Sequence, residues 1–302
     1  MDPNTIYHHV QSRYGSIARA ENPQYSSTVA KAFGYSQEDL NSIPKDANLG
    51  LSCGNPLAIA SLRPGETVVD LGCGGGFDVF LAAKQVGQHG RVIGIDMNKD
   101  MLSRARKNLT ESTDINNAIF KEGIITSIPL EDATADCIIS NCVVNLVPAA
   151  EKALVFVEIA RILKPGGRVA ISDILAKKEL PASIKEDVAM YTGCIAGAAT
   201  IGEYEKYLED TGFSEILIVD TKSDLNVYIN STDLSNDGDT SAGCCMKPIE
   251  AMNEGDVASC CVSSPKAERV VCDGTAVEVA NSGSGRRCIN LNDWVGEYKL
   301  FI

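Results

Sequence analysis

The sequence predicts a doubly wound α/β fold built on a parallel sheet, and three observations support this prediction. From residue 66 to about residue 177, short apolar runs rich in β-branched residues alternate with amphipathic stretches of helical length. Apolar strands separated by helices indicate a parallel sheet covered on both faces. A glycine-rich turn follows the first run, and 44% of the 302 residues are hydrophobic, which is enough for a sizeable core.

The core elements follow one another in the order that such a fold requires. The apolar runs predict strands at residues 67–70, 91–96, 136–140 and 168–173, with a further strand before Ile124. The amphipathic stretches predict helices at residues 77–86, 99–109 and 149–163. We expect residues 1–176 to form this core together with an N-terminal loop.

Three further segments are expected after the core. Residues 177–230 predict a smaller α+β cap region, because residues 183–213 have a mostly helical pattern and strand-like pieces follow. Residues 231–266 are rich in Ser, Asp, Gly and Asn and include cysteines, which is typical of a flexible linker. A last apolar pattern over residues 267–302 predicts a small C-terminal tail module.

Charge and cysteine content restrict the partners and the compartment. Forty acidic residues against twenty-seven Lys and Arg give a net charge of −13, so nucleic acid and acidic membrane surfaces are poor partners. No run of about 18 apolar residues could span a bilayer, and the N-terminus has no signal-peptide pattern. Eleven cysteines cannot all pair within one chain, so we expect free thiols and a cytoplasmic, reducing location.

The glycine-rich turn, Asp70-Leu71-Gly72-Cys73-Gly74-Gly75-Gly76, lies between a predicted strand and a predicted helix. Glycines at alternate positions let the backbone turn sharply and approach a ligand closely. A second acid, Asp96, ends the next strand, where it can accept hydrogen bonds from both hydroxyls of a ribose. The spacing differs from the Gly-x-Gly-x-x-Gly fingerprint of dinucleotide-binding folds.

At these residues the sequence resembles the class I S-adenosylmethionine (SAM) methyltransferases over residues 66–175, including the Lys164-Pro165-Gly166-Gly167 turn. The resemblance implies a Rossmann-like core with SAM as the cofactor. It assigns nine residues to the cofactor site. Gly72, Gly74 and Gly76 would line the methionine moiety, Asp96 would hold the ribose with Met97 beside the adenine, Ile124 and Ile125 would wall the adenine pocket, and Asp70 and Asn141 complete the set.

Three cysteines are predicted at the carboxyl ends of the strands, where α/β enzymes keep their chemistry. Cys53 lies in Ser52-Cys53-Gly54-Asn55-Pro56, Cys142 in Ile139-Ser140-Asn141-Cys142-Val143, and Cys194 in Gly193-Cys194-Ile195-Ala196-Gly197-Ala198. These segments resemble those of the arsenite SAM methyltransferases, over about residues 13–215 and including Tyr14-Gly15. The resemblance implies that the three cysteines are the catalytic residues and bind arsenic(III) as thiolates, and that Cys73 and Cys137 are structural.

The chemistry of arsenic agrees with this hypothesis. Arsenic(III) is a soft centre with a lone pair, and three thiolates can surround it while leaving that pair free to attack a sulfonium methyl group. No general base is needed, and the three histidines, His8, His9 and His89, have no catalytic or metal-site spacing. Transfer formally oxidises arsenic, and the resemblance implies that protein thiols return the electrons and that thioredoxin or glutathione restores them.

Two features depart from the family pattern. Many members carry a further cysteine upstream of the first ligand, but residues 1–52 contain none. Six cysteines fall after residue 243, where Cys244-Cys245 and Cys260-Cys261 form adjacent pairs followed by Cys272 and Cys288. These thiols could capture arsenic, relay reduction or be incidental.

Two other functions stay open from the sequence alone. One is methylation of carbon on a quinone- or sterol-like acceptor, which shares the core of residues 66–175 but leaves the three cysteines without a role. The other is a thiol-rich metalloid-binding protein that transfers no methyl group. The intact glycines and Asp96 argue against the second.

Overall fold

The computed structural model describes residues 1–20, 26–223, 225 and 291–302. Seven strands are present in this part of the chain: β1 (Thr67–Leu71), β2 (Arg91–Asp96), β3 (Ala118–Glu122), β4 (Ala135–Asn141), β5 (Leu163–Ala176), β6 (Leu217–Asp220) and β7 (Val295–Phe301). The ten α-helices are α1 (Pro3–Arg19), α2 (Ser26–Ala32), α3 (Gln37–Ser42), α4 (Leu57–Ala60), α5 (Phe77–Val86), α6 (Lys99–Glu111), α7 (Lys152–Ile162), α8 (Ala182–Lys185), α9 (Val188–Thr192) and α10 (Ile201–Asp210). The predicted linker and the six cysteines after residue 243 lie outside the described residues.

The strands form one mixed sheet in the order β3-β2-β1-β4-β5-β7-β6. Strands β1 to β5 are parallel, and β7 is antiparallel to both of its neighbours. This confirms the predicted doubly wound α/β core. The strand order reverses between β1 and β4, which is where open α/β sheets bind ligands at the carboxyl ends of their strands.

The sheet is buried on both faces, as its apolar strands predict. Val68 on one face and Val69 on the other have no exposed surface, and separate hydrophobic clusters cover the two faces. Helices α5 and α6 contribute to the first cluster and α7 and α10 to the second. Because the core fixes the strand ends rigidly, it also fixes the loops that follow them.

The C-terminal end of the chain differs from the sequence-based expectation. Instead of belonging to a separate module, residues 295–301 form β7, which fills the space between β5 and β6. Leu300 is opposite Ile171, both are fully buried, and Tyr298 is opposite Asp173. Residues 267–290 of the predicted module lie outside the described residues.

The cap predicted at residues 177–230 is divided between two locations. Helices α8, α9 and α10 follow β5, whereas β6 forms the edge of the central sheet.

At the other end of the chain, α1 is anchored to the core because the Asn98 side chain donates to the Gln11 carbonyl at 2.9 Å. None of the described helices combines the length and apolar character needed to cross a membrane.

Candidate functional site

A cleft lies at the carboxyl ends of β1, β2 and β4, with about 1070 Å³ of space between protein atoms, part of it open to solvent. Its walls include nine of the residues singled out from the sequence: Asp70, Gly72, Gly74, Asp96, Met97, Ile124, Ile125, Asn141 and Cys142. Side chains from α1 complete the wall, and Tyr14 is one of them. The size suits a nucleoside-containing ligand.

The glycine turn gives the cleft a backbone wall. Gly72 has a φ of +72°, and a β-carbon there would lie 2.2 Å from the Val143 side chain. Gly74 has a φ of +51°, and a β-carbon there would project into open space with Met101 as its nearest neighbour, at 3.9 Å. A ligand can therefore approach the backbone at Gly74 closely.

Gly76 does not line the cleft, in contrast to its predicted role. It is the N-cap of α5 with a φ of +92°, and a β-carbon there would meet Phe80 and Phe120 at 2.8 and 2.9 Å. Its requirement for glycine comes from the turn and from packing between α5 and β3, which the spacing alone could not distinguish from ligand contact.

Asp96 is held in place by backbone groups. Its carboxylate accepts hydrogen bonds from the N–H groups of Gly74 at 2.9 Å and Asn98 at 2.8 Å. Burial raises the pKa of this carboxyl, although the backbone donors oppose that shift. The side chain borders the cleft, so it can present an acceptor to ligand hydroxyls.

Two buried carboxyl groups, Asp70 and Asp78, flank the glycine turn in the sequence. Asp70 and Asp78 both line the cleft. Burial raises the pKa of Asp78 to about 6, and burial together with the neighbouring Asp78 and Asp96 raises that of Asp70 well above its usual value. Asp78 was not predicted from the sequence; the first turn of α5 places it beside Asp70.

Asn141 connects the cleft to the loop that carries Cys53. Its side-chain oxygen accepts from the Cys53 N–H at 3.2 Å, and its amide nitrogen lies 2.9 Å from the Gly54 carbonyl. The same nitrogen lies 3.0 Å from Asp78 Oδ2 and 3.0 Å from the Tyr35 hydroxyl. Asn141 borders the cleft as predicted, but its side-chain atoms hold the loop.

The three predicted cysteines are brought together beside the cleft. The sulfur atoms of Cys53, Cys142 and Cys194 all lie within 4.8 Å of one another, and all three residues are buried. Cys142 borders the cleft, whereas Cys53 and Cys194 are not among its lining residues. Cys53 and Cys142 form a disulfide, and Cys194 is a free thiol. The disulfide was not expected from the sequence.

Two of these cysteines have unusual backbone conformations. Cys142 has a φ of 57° and Cys194 a φ of 65°, the left-handed region that residues with a β-carbon rarely adopt. The Cys142 N–H donates to the Ser172 carbonyl at 2.8 Å, and the Cys194 thiol donates to the Cys142 carbonyl at 3.0 Å. Such strained conformations persist only where the surrounding structure imposes them, and they are concentrated at functional sites.

Burial governs the protonation of the remaining thiols. It raises the pKa of Cys194 to about 12, although the Tyr14 hydroxyl and the charges of Lys152 and Arg13 act in the opposite direction. Cys73 and Cys137 are free thiols buried in the hydrophobic core, and burial raises the pKa of both. Cys73 also lines the cleft. The structural role of these two cysteines stays a prediction.

A buried polar network supports the Cys194 segment. Asn145 donates to the Cys194 carbonyl at 3.3 Å and to Asp173 at 2.8 Å, and Tyr204 donates to the other Asp173 oxygen at 2.6 Å. The roles of Asn145, Asp173 and Tyr204 were not predictable from the sequence, because nothing in their spacing relates them to Cys194.

Comparison with known proteins places the chain in a family. A family model described as a methyltransferase domain matches residues 62–212. An arsenite methyltransferase from Halobacterium salinarum is 44% identical over 208 residues, covering 69% of this chain and 52% of the relative. The arsenite methyltransferase of Homo sapiens is 30% identical over 217 residues, covering 68% and 57% of the two chains. The chain thus spans about half the length of these curated relatives.

A solved structure agrees with the sequence comparison. The crystal structure of an arsenic(III) S-adenosylmethionine methyltransferase from Chlamydomonas reinhardtii matches with a TM-score of 0.51 and 29% identity, covering 70% of this chain and 69% of that one. The chain belongs to the methyltransferase domain family, and its fold is the Rossmann-like α/β fold of the class I SAM-dependent methyltransferases.

Proposed function

We propose that this protein is an arsenite methyltransferase that transfers the methyl group of SAM to trivalent arsenic. The observation that carries the proposal is the cluster of Cys53, Cys142 and Cys194, whose sulfur atoms lie within 4.8 Å of one another beside the cleft. Names of the relatives point to the same substrate.

The cleft suits SAM in both shape and charge. The open space at Gly74 leaves room for a ligand against the backbone, and acidic groups at Asp96 and at Asp70 can face the ribose hydroxyls and an ammonium group. When bound, SAM supplies an electrophilic methyl group on a sulfonium centre. The chain's part is to hold this group in a fixed orientation next to Cys142, with solvent excluded by α1 and the Cys53 loop.

The cysteine cluster suits trivalent arsenic. Three thiolates are soft ligands that a thiophilic centre prefers, and they can occupy one side of arsenic while its lone pair remains free. Because Cys142 borders the cleft, the lone pair can face the methyl carbon from about 3–3.5 Å, as in-line attack requires. The new As–C bond forms as the C–S bond of the sulfonium breaks, and no proton leaves arsenic.

Two electrons are needed at two points of this cycle. The Cys53–Cys142 disulfide takes up two electrons and two protons before both sulfurs can bind arsenic. Methyl transfer formally oxidises arsenic from the trivalent to the pentavalent state, and two further electrons return it. We propose a thiol reductant such as thioredoxin or glutathione for both steps, which fits a reducing compartment such as the cytoplasm.

The alternative, methylation of carbon on a quinone- or sterol-like acceptor, has weaker support. A ubiquinone/menaquinone biosynthesis C-methyltransferase from Francisella tularensis is 33% identical over only 115 residues, covering 38% of this chain. That function also leaves the clustering of Cys53, Cys142 and Cys194 without a chemical purpose.

A transfer assay tests the proposal. Reduced protein is incubated with methyl-labelled SAM, arsenite and a thiol, and the arsenic species are separated; we expect the label on arsenic. Asp96→Ala is the matched control: loss of a charge-assisted acceptor should weaken SAM binding roughly tenfold to hundredfold while arsenite binding stays unchanged. Label found only on an organic acceptor, or on no product, would overturn the proposal.

A further inference from the structure

Helix α1 contributes a residue that contacts both parts of the site. Tyr14 lines the cleft, and its hydroxyl donates to the Thr192 carbonyl at 3.2 Å. The same hydroxyl lies 3.9 Å from the Cys194 sulfur. These contacts connect residues 178 and 180 positions apart in the chain, so α1 is held against the segment that carries Cys194.

The Cys194 segment depends on such contacts. Cys194 follows the end of α9, where the last helical carbonyls have no partner within the helix, and Thr192 is the last residue of α9. Cys194 is also in the left-handed backbone region. A segment of this kind keeps its conformation only when neighbouring elements impose it.

Other contacts hold the segment from the turn that follows β4. Asn145 donates to the Cys194 carbonyl at 3.3 Å, and the Tyr191 hydroxyl donates to the Val147 carbonyl at 3.0 Å. Tyr14 holds it from the side of α1 and also approaches the sulfur itself. Its hydroxyl is therefore placed to act on the ligand atom and not only on the backbone.

Binding of arsenic changes what the Cys194 sulfur needs. In the free protein its S–H group donates to the Cys142 carbonyl at 3.0 Å. A sulfur bonded to arsenic has no proton to donate, so it must turn away from this carbonyl and gains from a nearby donor. Rotation of the Tyr14 hydroxyl from the Thr192 carbonyl toward the sulfur, 3.9 Å away, supplies that donor.

We propose that Tyr14 is a positioning residue that holds Cys194 for coordination of arsenic. This inference rests on the proposed function. Tyr14 anchors the Cys194 segment from α1 and donates to the sulfur once arsenic is bound. Because the hydroxyl acts on Cys194 itself, its loss should affect arsenite and methylarsenite alike.

The test compares two variants that each lose one hydroxyl from α1. Tyr14→Phe removes the contact with the Cys194 segment. Ser16→Ala is the control, because Ser16 is exposed and its hydroxyl donates within α1 to the Arg13 carbonyl at 2.7 Å. For Tyr14→Phe we expect the KM for arsenite and for methylarsenite to rise about tenfold, kcat to change less than threefold, and the KM for SAM to stay within twofold. Ser16→Ala should leave both arsenic KM values within twofold of wild type.

X-ray absorption at the arsenic edge gives a second readout. The proteins carry Ser at the six cysteines after residue 243, are reduced with a phosphine that contributes no sulfur, and receive one equivalent of arsenite. We expect three sulfur neighbours around arsenic in the parent protein and about two in Tyr14→Phe. Identical KM values or identical sulfur counts in Tyr14→Phe and Ser16→Ala would overturn the inference, as would a parallel rise in the KM for SAM. No sulfur-bound arsenic in the parent protein would instead refute the proposed function itself.

Discussion

Cys53, Cys142 and Cys194 lie in one cluster but occupy different environments. Cys142 borders the cleft, Cys194 donates to the Cys142 carbonyl, and Cys53 lies on a loop that Asn141 holds. The loop position suggests that Cys53 is the ligand that the site can lose once a methyl group occupies one position on arsenic. Cys142 and Cys194 are then needed at every step.

Substitutions at the three cysteines test this division. A hydroxyl is a hard ligand that stays protonated near neutral pH, so Cys142→Ser and Cys194→Ser should each lower methylation of arsenite and of methylarsenite at least a hundredfold. Cys53→Ser should lose arsenite methylation to a similar extent and keep methylarsenite turnover within about threefold of wild type. Product analysis with each substrate measures both, and near-normal arsenite turnover by Cys142→Ser would show that the assignment is wrong.

Asp173 predicts a pH dependence of stability. Burial raises the pKa of its carboxyl from 3.8 to about 6, so the folded chain binds this proton more tightly than the unfolded chain does. The free energy of unfolding therefore falls as pH rises from about 4 to 6, by about 3 kcal/mol for a shift of roughly two pKa units. Asp173→Asn cannot titrate and should lose this contribution.

Denaturant unfolding of wild type and Asp173→Asn between pH 4 and 6.5 measures the difference. The variant should become more stable relative to wild type as pH rises through this window. A constant difference between the two proteins across the window would contradict the raised pKa. Asp78→Asn provides a comparison, because burial raises the pKa of Asp78 to about 6 as well.

At the residue scale, the sequence predicted which groups lie at the site better than it predicted what each one does. The three cysteines were identifiable because each lies in a short segment with its own pattern, and eight of the nine assigned cofactor residues border the cleft. Gly76 and Asn141 have further or different roles because a packing contact and a hydrogen bond to a distant loop leave no local signal. From the sequence, Tyr14 was identified only as part of the Tyr14-Gly15 dipeptide in the resemblance to the arsenite SAM methyltransferases, and no role was predicted for it.

At the scale of elements, close packing constrains the Cys53 loop. A β-carbon at Gly54 would lie 2.5 Å from Ser172 Cβ and 2.8 Å from a carboxylate oxygen of Glu297. Ser172 is in β5 and Glu297 in β7, so the loop is seated directly on two strands. Glycine at this position is therefore what allows Cys53 to reach Cys142.

Gly54→Ala should displace the loop and separate Cys53 from the other two sulfurs. We expect arsenite methylation to fall at least tenfold, with SAM binding within twofold of wild type and methylarsenite turnover largely kept. Gly202→Ala is the control, because a β-carbon there meets nothing within 4 Å. If both variants keep wild-type arsenite turnover, the packing of Gly54 does not set the position of Cys53.

Strands β1, β2, β4 and β5 and the helices between them were predictable from local pattern, because each strand is apolar and each helix amphipathic over its own length. The place of β7 was not predictable. Its residues show a strand pattern, but pairing with β5 and β6 joins segments separated by more than 70 residues. The position of such a strand depends on which sheet edge the rest of the chain leaves unpaired. The sequence of the strand itself does not specify this.

Across the whole molecule, the described cysteines divide into two redox classes. Cys53 and Cys142 are joined, whereas Cys73, Cys137 and Cys194 are free. The two bonded sulfurs are on a loop and a strand end beside the cleft, and Cys194 lies in the same cluster. Cys137 is in the core, and Cys73 is in the core and also lines the cleft. In the proposed function, reduction of the one bonded pair is therefore what makes both of its sulfurs available to arsenic.

Protein purified without reductant should not methylate arsenite, because two of the three proposed ligands are bonded to each other, and added dithiothreitol should start continuous turnover. Alkylation of the unreduced protein after unfolding, followed by peptide mapping, should label Cys73, Cys137 and Cys194 and leave Cys53 and Cys142 protected. Recovery of labelled Cys53 from inactive, unreduced protein would show that another event blocks activity.

The left-handed backbone at Cys142 and Cys194 has a consequence for the selection of heat-tolerant variants of this protein. A residue with a β-carbon in that region costs roughly 1–2 kcal/mol relative to glycine. At Cys142 this cost is smaller than the stabilisation of about 2–4 kcal/mol expected from its disulfide with Cys53, so replacement by glycine would destabilise the unreduced protein. Cys194 is a free thiol, and glycine there would relieve the backbone cost without breaking a disulfide. Directed evolution for heat tolerance alone could therefore remove the Cys194 thiol, so a selection that keeps the proposed arsenic chemistry must apply arsenic and heat together.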